Sequence, residues 1–188
     1  MSPRRPGFVP PDARFHESWL EALREYHDEG RHDELDEDLL EDAGEFARYC
    51  AALGAGVERP GEPEFYLARL YGTAAPVPWV DGYVPQTVLW WVAGDEYLGR
   101  LTVRHRLTPH LLRHGGNIGF EVRPGARGRG HATAMLAAAL PLAAGLGIDP
   151  ARLDCDVANA ASRRVIEKNG GVFDEESGGN LYFWVPAS

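Results

Sequence analysis

The segment Val122-Arg-Pro-Gly-Ala-Arg127-Gly-Arg-Gly-His-Ala132 is the most informative part of this sequence. It follows an alternating, strand-like stretch (Ile118, Phe120, Val122) and leads into a helix of small residues predicted from about Gly130 to Gly145. Glycines let backbone N–H groups approach an anion, and a helix start adds about half a positive charge and unpaired donors. With Arg123, Arg127 and Arg129 as further donors, the segment suits a pyrophosphate, although a purely connecting loop is the alternative.

Two better-known phosphate-binding motifs are absent from this segment. It contains no Gly-Lys-Ser/Thr of a P-loop, and its glycines do not have the Gly-x-Gly-x-x-Gly spacing of dinucleotide-binding folds. An ATP-binding or NAD-binding site of either kind is therefore not expected here.

The sequence on both sides of this segment alternates between helical and strand-like patterns. Before it we predict a helix from Glu17 to Asp28 and a long loop from Arg59 to Pro85 with one short helix. Between them, after the acidic run that begins at Asp28, we predict an amphipathic helix with a solvated acidic face from the near-helical spacing of Leu35, Leu39, Leu40, Phe46 and Leu53. A hairpin follows from Thr87 to Arg104. After the segment we predict a strand over Arg152 to Val157, a helix over Asn159 to Asn169, and closing strands at Gly171 to Phe173 and Leu181 to Val185. The order predicts a single α/β (α+β) domain with a mixed, mostly antiparallel sheet of about six to seven strands.

Composition places the chain among ordinary soluble proteins and removes several classes of function. The chain has 188 residues, a net charge of −9, 44% hydrophobic residues and two cysteines, too few for a disulfide framework or a zinc ribbon. The negative net charge argues against a nucleic-acid partner. The longest uncharged stretch, Ala132 to Ile148, is rich in Ala and Gly and contains Pro141, so we predict a buried helix rather than a membrane span. We expect a cytoplasmic protein without a membrane partner.

Two neighbouring segments resemble a known family. Arg127-Gly-Arg-Gly-His-Ala132 resembles the acetyl-CoA pyrophosphate loop of the GNAT N-acetyltransferases, and Asn159-Ala-Ala-Ser162 with Val165-Ile-Glu-Lys-Asn-Gly170 is similar to that superfamily's next strand–helix unit. Glu17-Ser-Trp-Leu20, Val84-Pro-Gln-Thr87, Gly99 to Leu112 and Gly115-Gly-Asn-Ile-Gly119 resemble an uncharacterised branch of predicted acetyltransferases. The resemblance covers nearly the whole chain and is strongest from Gln86 to Gly171.

The resemblance implies a GNAT fold whose sheet splays at the cofactor site, with residues 1–85 as an acceptor-side half and 86–188 as the cofactor-binding half. It implies that an acetyl group passes from acetyl-CoA to an amine by direct attack in a ternary complex. Backbone N–H groups from Arg127 through Gly128, Arg129, Gly130, His131 and Ala132 would hold the pyrophosphate. The Val122 backbone would lie near the acetyl and pantetheine groups, Asn159 would contact the cofactor, and Ser162 would lie near its sulfur.

One position departs from the family pattern. Many family members carry a tyrosine general acid where this chain has Ile166, which cannot donate a proton. Ser162 is the substitute that we expect, as in the ribosomal-protein N-terminal acetyltransferase type. Pro141 is also unusual within the cofactor helix, and we expect it to kink that helix.

Three carboxylates are candidates for the base that deprotonates an attacking amine. Asp154 and Asp156 alternate with apolar residues and project from one strand face, and Glu121 lies on the polar side of its own strand. Each also has a structural interpretation, as a solvated charge or a helix cap. The local group His105, His110 and His114 has no convincing ligand spacing, so we expect no metal.

The acceptor cannot be identified from this pattern, and two classes of function stay open. The first is an N-acetyltransferase acting on a primary amine of a small molecule or peptide, and the acidic balance favours a cationic amine. The second is a non-catalytic acyl-CoA-binding or sensor module. The sequence is compatible with a homodimer.

Overall fold

The computed structural model describes residues 5–55 and 84–188. Within these ranges the strands are β1 (Gly7–Val9), β2 (Gln86–Ala93), β3 (Glu96–Arg104), β4 (Ile118–Val122), β5 (Ala151–Asp156), β6 (Val172–Ser177) and β7 (Asn180–Val185). The helices are α1 (His16–His27), α2 (Glu37–Leu40), α3 (Ala43–Ala55), α4 (His131–Gly145) and α5 (Ala160–Lys168). Single turns of 3-10 helix lie at Ala13–Phe15 and Pro124–Ala126. The predicted loop from Arg59 to Pro85 lies almost wholly outside the described residues.

The strands form two antiparallel sheets, and the chain has the expected mixed α/β class. One sheet has the order β1-β2-β3-β4 and the other the order β5-β7-β6. The first strand was not predicted: β1 is only three residues long and pairs with β2, so that Phe8 lies opposite Trp91. In the second sheet Asp154 pairs with Tyr182 and Asp156 with Asn180.

The acidic region after α1 is two helices and not the single helix that its leucine spacing predicted. The carboxylate of Asp36 accepts from the backbone N–H of Leu39 and begins α2. The carboxylate of Asp42 accepts from the N–H groups of Gly44 and Glu45 at the start of α3. Each aspartate satisfies donors that a helix start leaves unpaired, so each begins a new helix.

The strands on either side of α4, β4 and β5, are linked at their starts and belong to different sheets. The N–H of Asn117, just before β4, donates to the carbonyl of Arg152 at 2.7 Å. In return the N–H of Arg152 donates to Oδ1 of Asn117 at 2.9 Å. Beyond this point β4 pairs in the first sheet and β5 in the second. The splay of these strands at a cofactor site remains a prediction.

The chain divides into two compact units. The first contains the N-terminal helices with Val88–Arg100 and Val122–Arg129, and the second contains Val84–Thr87, Leu101–Glu121 and Gly130–Ser188. An aromatic cluster fills the first unit, with the ring of Trp90 completely buried beside Trp19, Phe46 and Tyr97. The second unit is built on buried Met135, Leu136, Leu153, Ile166 and Phe183. The division into halves at residue 85 remains a prediction.

Helix α4 continues through Pro141, as one helix from His131 to Gly145. Its buried residues are Met135, Leu136, Ala139, Leu140 and Ala143. Among the described residues, no helix is both long and apolar enough to cross a membrane.

Candidate active site

The segment between β4 and α4 has the backbone geometry of an anion-binding loop. Gly128 and Gly130 have φ angles of +76° and +83°, in the left-handed region that favours glycine, and Gly130 is the N-cap of α4. A Cβ built on either glycine would meet no described atom within 4 Å, so the space beside both residues is open. The loop can therefore receive a ligand directly against its backbone.

The N-terminus of α4 supplies donors to this open space. The first hydrogen bond of the helix runs from the N–H of Ala134 to the carbonyl of Gly130, so the N–H groups of Ala132 and Thr133 have no acceptor within the helix. The first turn contains no acidic residue that would compete for them. At the same turn, Nδ2 of Asn169 donates to the carbonyl of Thr133 at 3.3 Å and fixes the start of α4 against α5. These groups and the helix dipole favour a bound anion.

The three arginines near the loop have different surroundings. The guanidinium of Arg123 is held by Glu25, and that of Arg127 by Glu29. These two side chains are therefore already engaged by carboxylates, which the sequence did not indicate. Arg129 is exposed, and none of the described carboxylates forms an ion pair with it. His131 is half-buried in the first turn of α4.

Helix α5 begins with the two polar residues that the resemblance selected. Oδ1 of Asn159 accepts from the N–H of Ser162 at 3.0 Å, which makes Asn159 the N-cap. Its Nδ2 has no partner among the described residues and can still donate to a ligand. The half-buried hydroxyl of Ser162 likewise has no partner in the described part of the chain. Ile166 is completely buried, so the position of the family's usual tyrosine belongs to the core here.

The three candidate carboxylates differ in burial and in hydrogen bonding. Asp154 on β5 is half-buried, and its Oδ1 accepts from the N–H of Gly115 at 2.8 Å. Burial raises the pKa of Asp154, and the Gly115 N–H and the nearby Arg104 only partly offset this. Asp156 is exposed and accepts from the N–H of Ala158 at 2.7 Å, as a turn-capping residue does. Glu121 is half-buried near the end of β4.

The loop before β4 positions Asp154, a role that sequence reasoning missed. Nη1 of Arg104 donates to the carbonyl of Gly115 at 2.7 Å. Gly116, with φ of +55°, packs so closely on β5 that an added Cβ would lie 2.3 Å from the carbonyl oxygen of Arg152. The pair Gly115-Gly116 was the available signal, since adjacent glycines before a strand indicate a close backbone approach.

No metal centre is evident in residues 5–55 and 84–188. Within these ranges, no group of three or more His, Cys, Asp or Glu residues is arranged to hold a metal ion. Of the histidine group, Nε2 of His105 lies 2.9 Å from the hydroxyl of Thr87, and the rings of His110 and His114 lie 5.2 Å apart.

Comparisons with known proteins bear on the family and the fold of the chain. A family model described as "Acetyltransferase (GNAT) domain" matches residues 22–172. Among solved structures, the chain is similar to Mycobacterium smegmatis RimJ in complex with CoA-disulfide, with a TM-score of 0.58 and 18% identity over 99% of this chain and 86% of that one. No curated protein matches the chain significantly.

Two further solved structures share the fold. The microcin C7 self-immunity acetyltransferase MccE, in complex with acetyl-CoA and AMP, gives a TM-score of 0.57 and 9% identity over 96% of this chain and 92% of that one. RimL, a ribosomal L7/L12 alpha-N-protein acetyltransferase, gives a TM-score of 0.52 and 16% identity over 96% and 90% of the two chains. At these identities the likeness shows a common fold.

Proposed function

Since this chain belongs to the GNAT acetyltransferase family and is therefore an acyltransferase, we propose that it transfers an acetyl group from acetyl-CoA to a primary amine of a small molecule or peptide by direct attack in a ternary complex. The observation that carries the proposal is the open start of α4 behind two positive-φ glycines. MccE, a neighbour in fold, was crystallised with acetyl-CoA, and RimJ with CoA-disulfide.

The pyrophosphate would be held mainly by backbone donors. The N–H of Arg127 already donates to the carbonyl of Pro124 at 3.2 Å, so the available donors begin at Gly128. The N–H groups at the start of α4, up to Ala132, have no intrahelical acceptor. Among nearby side chains, Arg129 has no carboxylate partner in the described ranges and can add a charge-assisted bond. Nδ2 of Asn159 adds one more donor, and the Val122 backbone would lie along the pantetheine.

Asp154 is the residue that we propose as the base. Its raised pKa suits a group that must accept a proton near neutral pH, and Oδ2 has no hydrogen-bond partner among the described residues. Asp156 is a weaker candidate because its carboxylate caps the following turn. Glu121 is the third candidate, on the neighbouring strand of the splayed pair.

Ser162 is the residue that we propose as the acid. Acetyl-CoA supplies a thioester carbonyl. Asp154 accepts a proton from the acceptor ammonium, directly or through one water, and the free amine then forms a C–N bond as the C–S bond breaks. The Ser162 hydroxyl donates its proton to the departing sulfur and regains one, through water, from the nitrogen of the new amide. The hydroxyl can turn toward a ligand because no described group holds it.

The acceptor that we propose is a cationic amine. Protonated amines are attracted by the net charge of −9 and by carboxylates near the reacting group. Since RimL is a ribosomal-protein alpha-N-acetyltransferase, a peptide N-terminus belongs in the first set of acceptors to test.

A panel of amines assayed for release of free CoA tests this proposal. We expect turnover with at least one cationic amine, and a loss of about 10²–10⁴-fold in kcat for Asp154→Asn. For Ser162→Ala we expect a loss of about 10–1000-fold with little change in acetyl-CoA binding. Asp156→Asn, on the same strand, is the matched control and should retain most activity. Acetyl-CoA binding without turnover on any amine would instead indicate a non-catalytic acyl-CoA-binding protein.

A further inference from the structure

Two carboxylates from the α1 region hold the segment that leads into the glycine loop. Oε1 of Glu25 lies 2.6 Å from Nη2 of Arg123, and Nε of the same guanidinium lies 3.2 Å from both carboxylate oxygens. Four residues later, Glu29 forms a bidentate pair with Arg127, at 2.8 and 2.9 Å. Two successive arginines of the predicted anion segment are thus held from one place in the chain.

Both members of the Glu25–Arg123 pair form further hydrogen bonds to neighbouring groups. Oε2 of Glu25 accepts from the N–H of Gly125 at 2.8 Å, and Nη1 of Arg123 lies 3.3 Å from the carbonyl of Tyr97 and from the hydroxyl of Ser18. The Arg123 side chain is only 8% exposed, and every nitrogen of its guanidinium has a protein partner. Arg123 is therefore held within the protein through all three guanidinium nitrogens.

Gly125 allows the carboxylate to reach the loop backbone. A Cβ at this position would lie 2.9 Å from Oε1 of Glu25 and 3.2 Å from Oε2, so a larger residue would push the carboxylate away. Besides reversing the chain, the turn Pro124-Gly125 therefore leaves room for the carboxylate of Glu25, about a hundred residues away in the sequence.

The ion pair between Glu29 and Arg127 lies directly before Gly128 in the sequence. While its two terminal nitrogens bind Glu29, Nε of Arg127 donates to the carbonyl of Val122 at 3.1 Å and closes the segment on itself. Gly128 and Gly130 come next, with positive φ angles. As glycines they have no side chain that could restrain their backbone. Ordering such residues on binding costs conformational entropy, so the rigidity of the preceding segment matters for binding.

We propose that Glu25 and Glu29 are positioning residues for the acetyl-CoA site, which hold Val122–Arg127 so that the N–H groups after it are preorganised for the pyrophosphate. This inference rests on the proposed function. Preorganised donors bind more tightly because the ordering cost is met before the ligand arrives.

The test compares Glu25→Gln and Glu29→Gln with Glu41→Gln. Glu41→Gln removes an ion pair between Arg24 of α1 and Glu41 at the end of α2, at 2.8 Å, that does not involve the loop. We expect the acetyl-CoA Kd and KM to rise about tenfold for Glu25→Gln and about three- to fivefold for Glu29→Gln, since charge-assisted bonds are lost. We expect kcat at saturating acetyl-CoA to stay within about twofold, and Glu41→Gln to match the wild type.

Two further variants separate positioning from a loss of stability. Glu29→Gln should add nothing in an Arg127→Gln background, because Glu29 acts through that arginine. Gly125→Ala should weaken acetyl-CoA binding in the direction of Glu25→Gln, because it displaces the carboxylate without changing any charge. If the carboxylate variants lower Tm but leave Kd unchanged, the positioning role is overturned.

Amide hydrogen exchange separates this inference from the proposed function. In the protein without ligand, three hydrogen-bonded amides should exchange faster in Glu25→Gln and Glu29→Gln than in Glu41→Gln. They are those of Ala126 and Arg127, which donate to the carbonyls of Arg123 and Pro124, and that of Ala134, which donates to the carbonyl of Gly130. Faster exchange supports positioning even if the wild-type protein failed to bind acetyl-CoA, which would overturn only the proposed ligand. Equal exchange in all three variants would refute the positioning role by itself.

Discussion

Gly116→Ala is the substitution whose effect can be worked out most fully from the structure. The added Cβ would lie 2.3 Å from the carbonyl oxygen of Arg152, well inside the 3.0 Å that real Cβ contacts keep. The obstacle is backbone, so no side chain can turn away to relieve it. The φ angle of +55° adds a cost of about 1–2 kcal/mol for any residue with a Cβ.

Relief of this contact would strain the hydrogen bonds on both sides of Gly116. The N–H of Gly116 donates to Leu111 at 3.0 Å, and the N–H of Asn117 donates to Arg152 at 2.7 Å. Each such bond contributes about 0.5–1.5 kcal/mol. With the backbone strain, the free energy of unfolding should fall by about 2–5 kcal/mol.

Gly147→Ala is the matched control for this prediction. Gly147 also has a positive φ, +78°, but an added Cβ there meets no described atom within 4 Å. Gly147→Ala should lower the free energy of unfolding only by the strain of a Cβ at positive φ, about 1–2 kcal/mol. Urea denaturation of both variants should therefore separate them by about 1–3 kcal/mol. Equal losses would refute the close approach of Gly116 to β5.

Gly116→Ala also tests whether the loop before β4 positions Asp154, the proposed base. Gly115 donates the hydrogen bond that holds Asp154, so displacement of its neighbour should disturb that carboxylate. For Gly116→Ala we expect a fall in kcat with little change in the KM for acetyl-CoA, and for Gly147→Ala wild-type kinetics.

Three other predictions concern charge. Burial raises the pKa of Asp154, so its ionised form opposes folding. Asp154→Asn should therefore be at least as stable as the wild type at pH 8, and any gain in stability should vanish as the pH falls. Measurement of Tm from pH 4 to 8 checks this. Glu25 behaves oppositely, because bonds from Arg123 and Gly125 outweigh burial and lower its pKa; the stability lost in Glu25→Gln should be present at neutral pH and shrink as pH falls through the folded-state pKa. A cationic acceptor should show kcat/KM falling as salt rises, whereas a salt-independent kcat/KM would contradict electrostatic attraction of the amine.

The elements around the anion loop could be predicted from the sequence because their signals are local. Alternation marks β4 and β5, the glycines mark the turn between β4 and α4, and Asn159 marks the start of α5. The closing aromatic residues Tyr182 and Phe183 are buried in β7, as their pattern indicated. Family membership confirms the GNAT resemblance that these neighbouring motifs suggested.

The contacts that distinguish the candidate site residues were beyond sequence reasoning because they join distant positions. Glu25 and Glu29 meet Arg123 and Arg127 across about a hundred residues, so two arginines that looked available to a ligand are held within the protein. Asp154 and Asp156 are equivalent in sequence pattern. They differ because a backbone N–H thirty-nine residues away binds the first.

Titration with acetyl-CoA tests the central claim most directly. Calorimetry on the wild-type protein should give a Kd of micromolar order for acetyl-CoA and no comparable binding of NADH or ATP. Gly130→Glu should abolish binding by filling the open space at the start of α4, while Gly147→Glu, with a similar φ beyond the other end of that helix, should retain it. No detectable binding of acetyl-CoA to the wild type, or equal binding by both variants, would contradict the account.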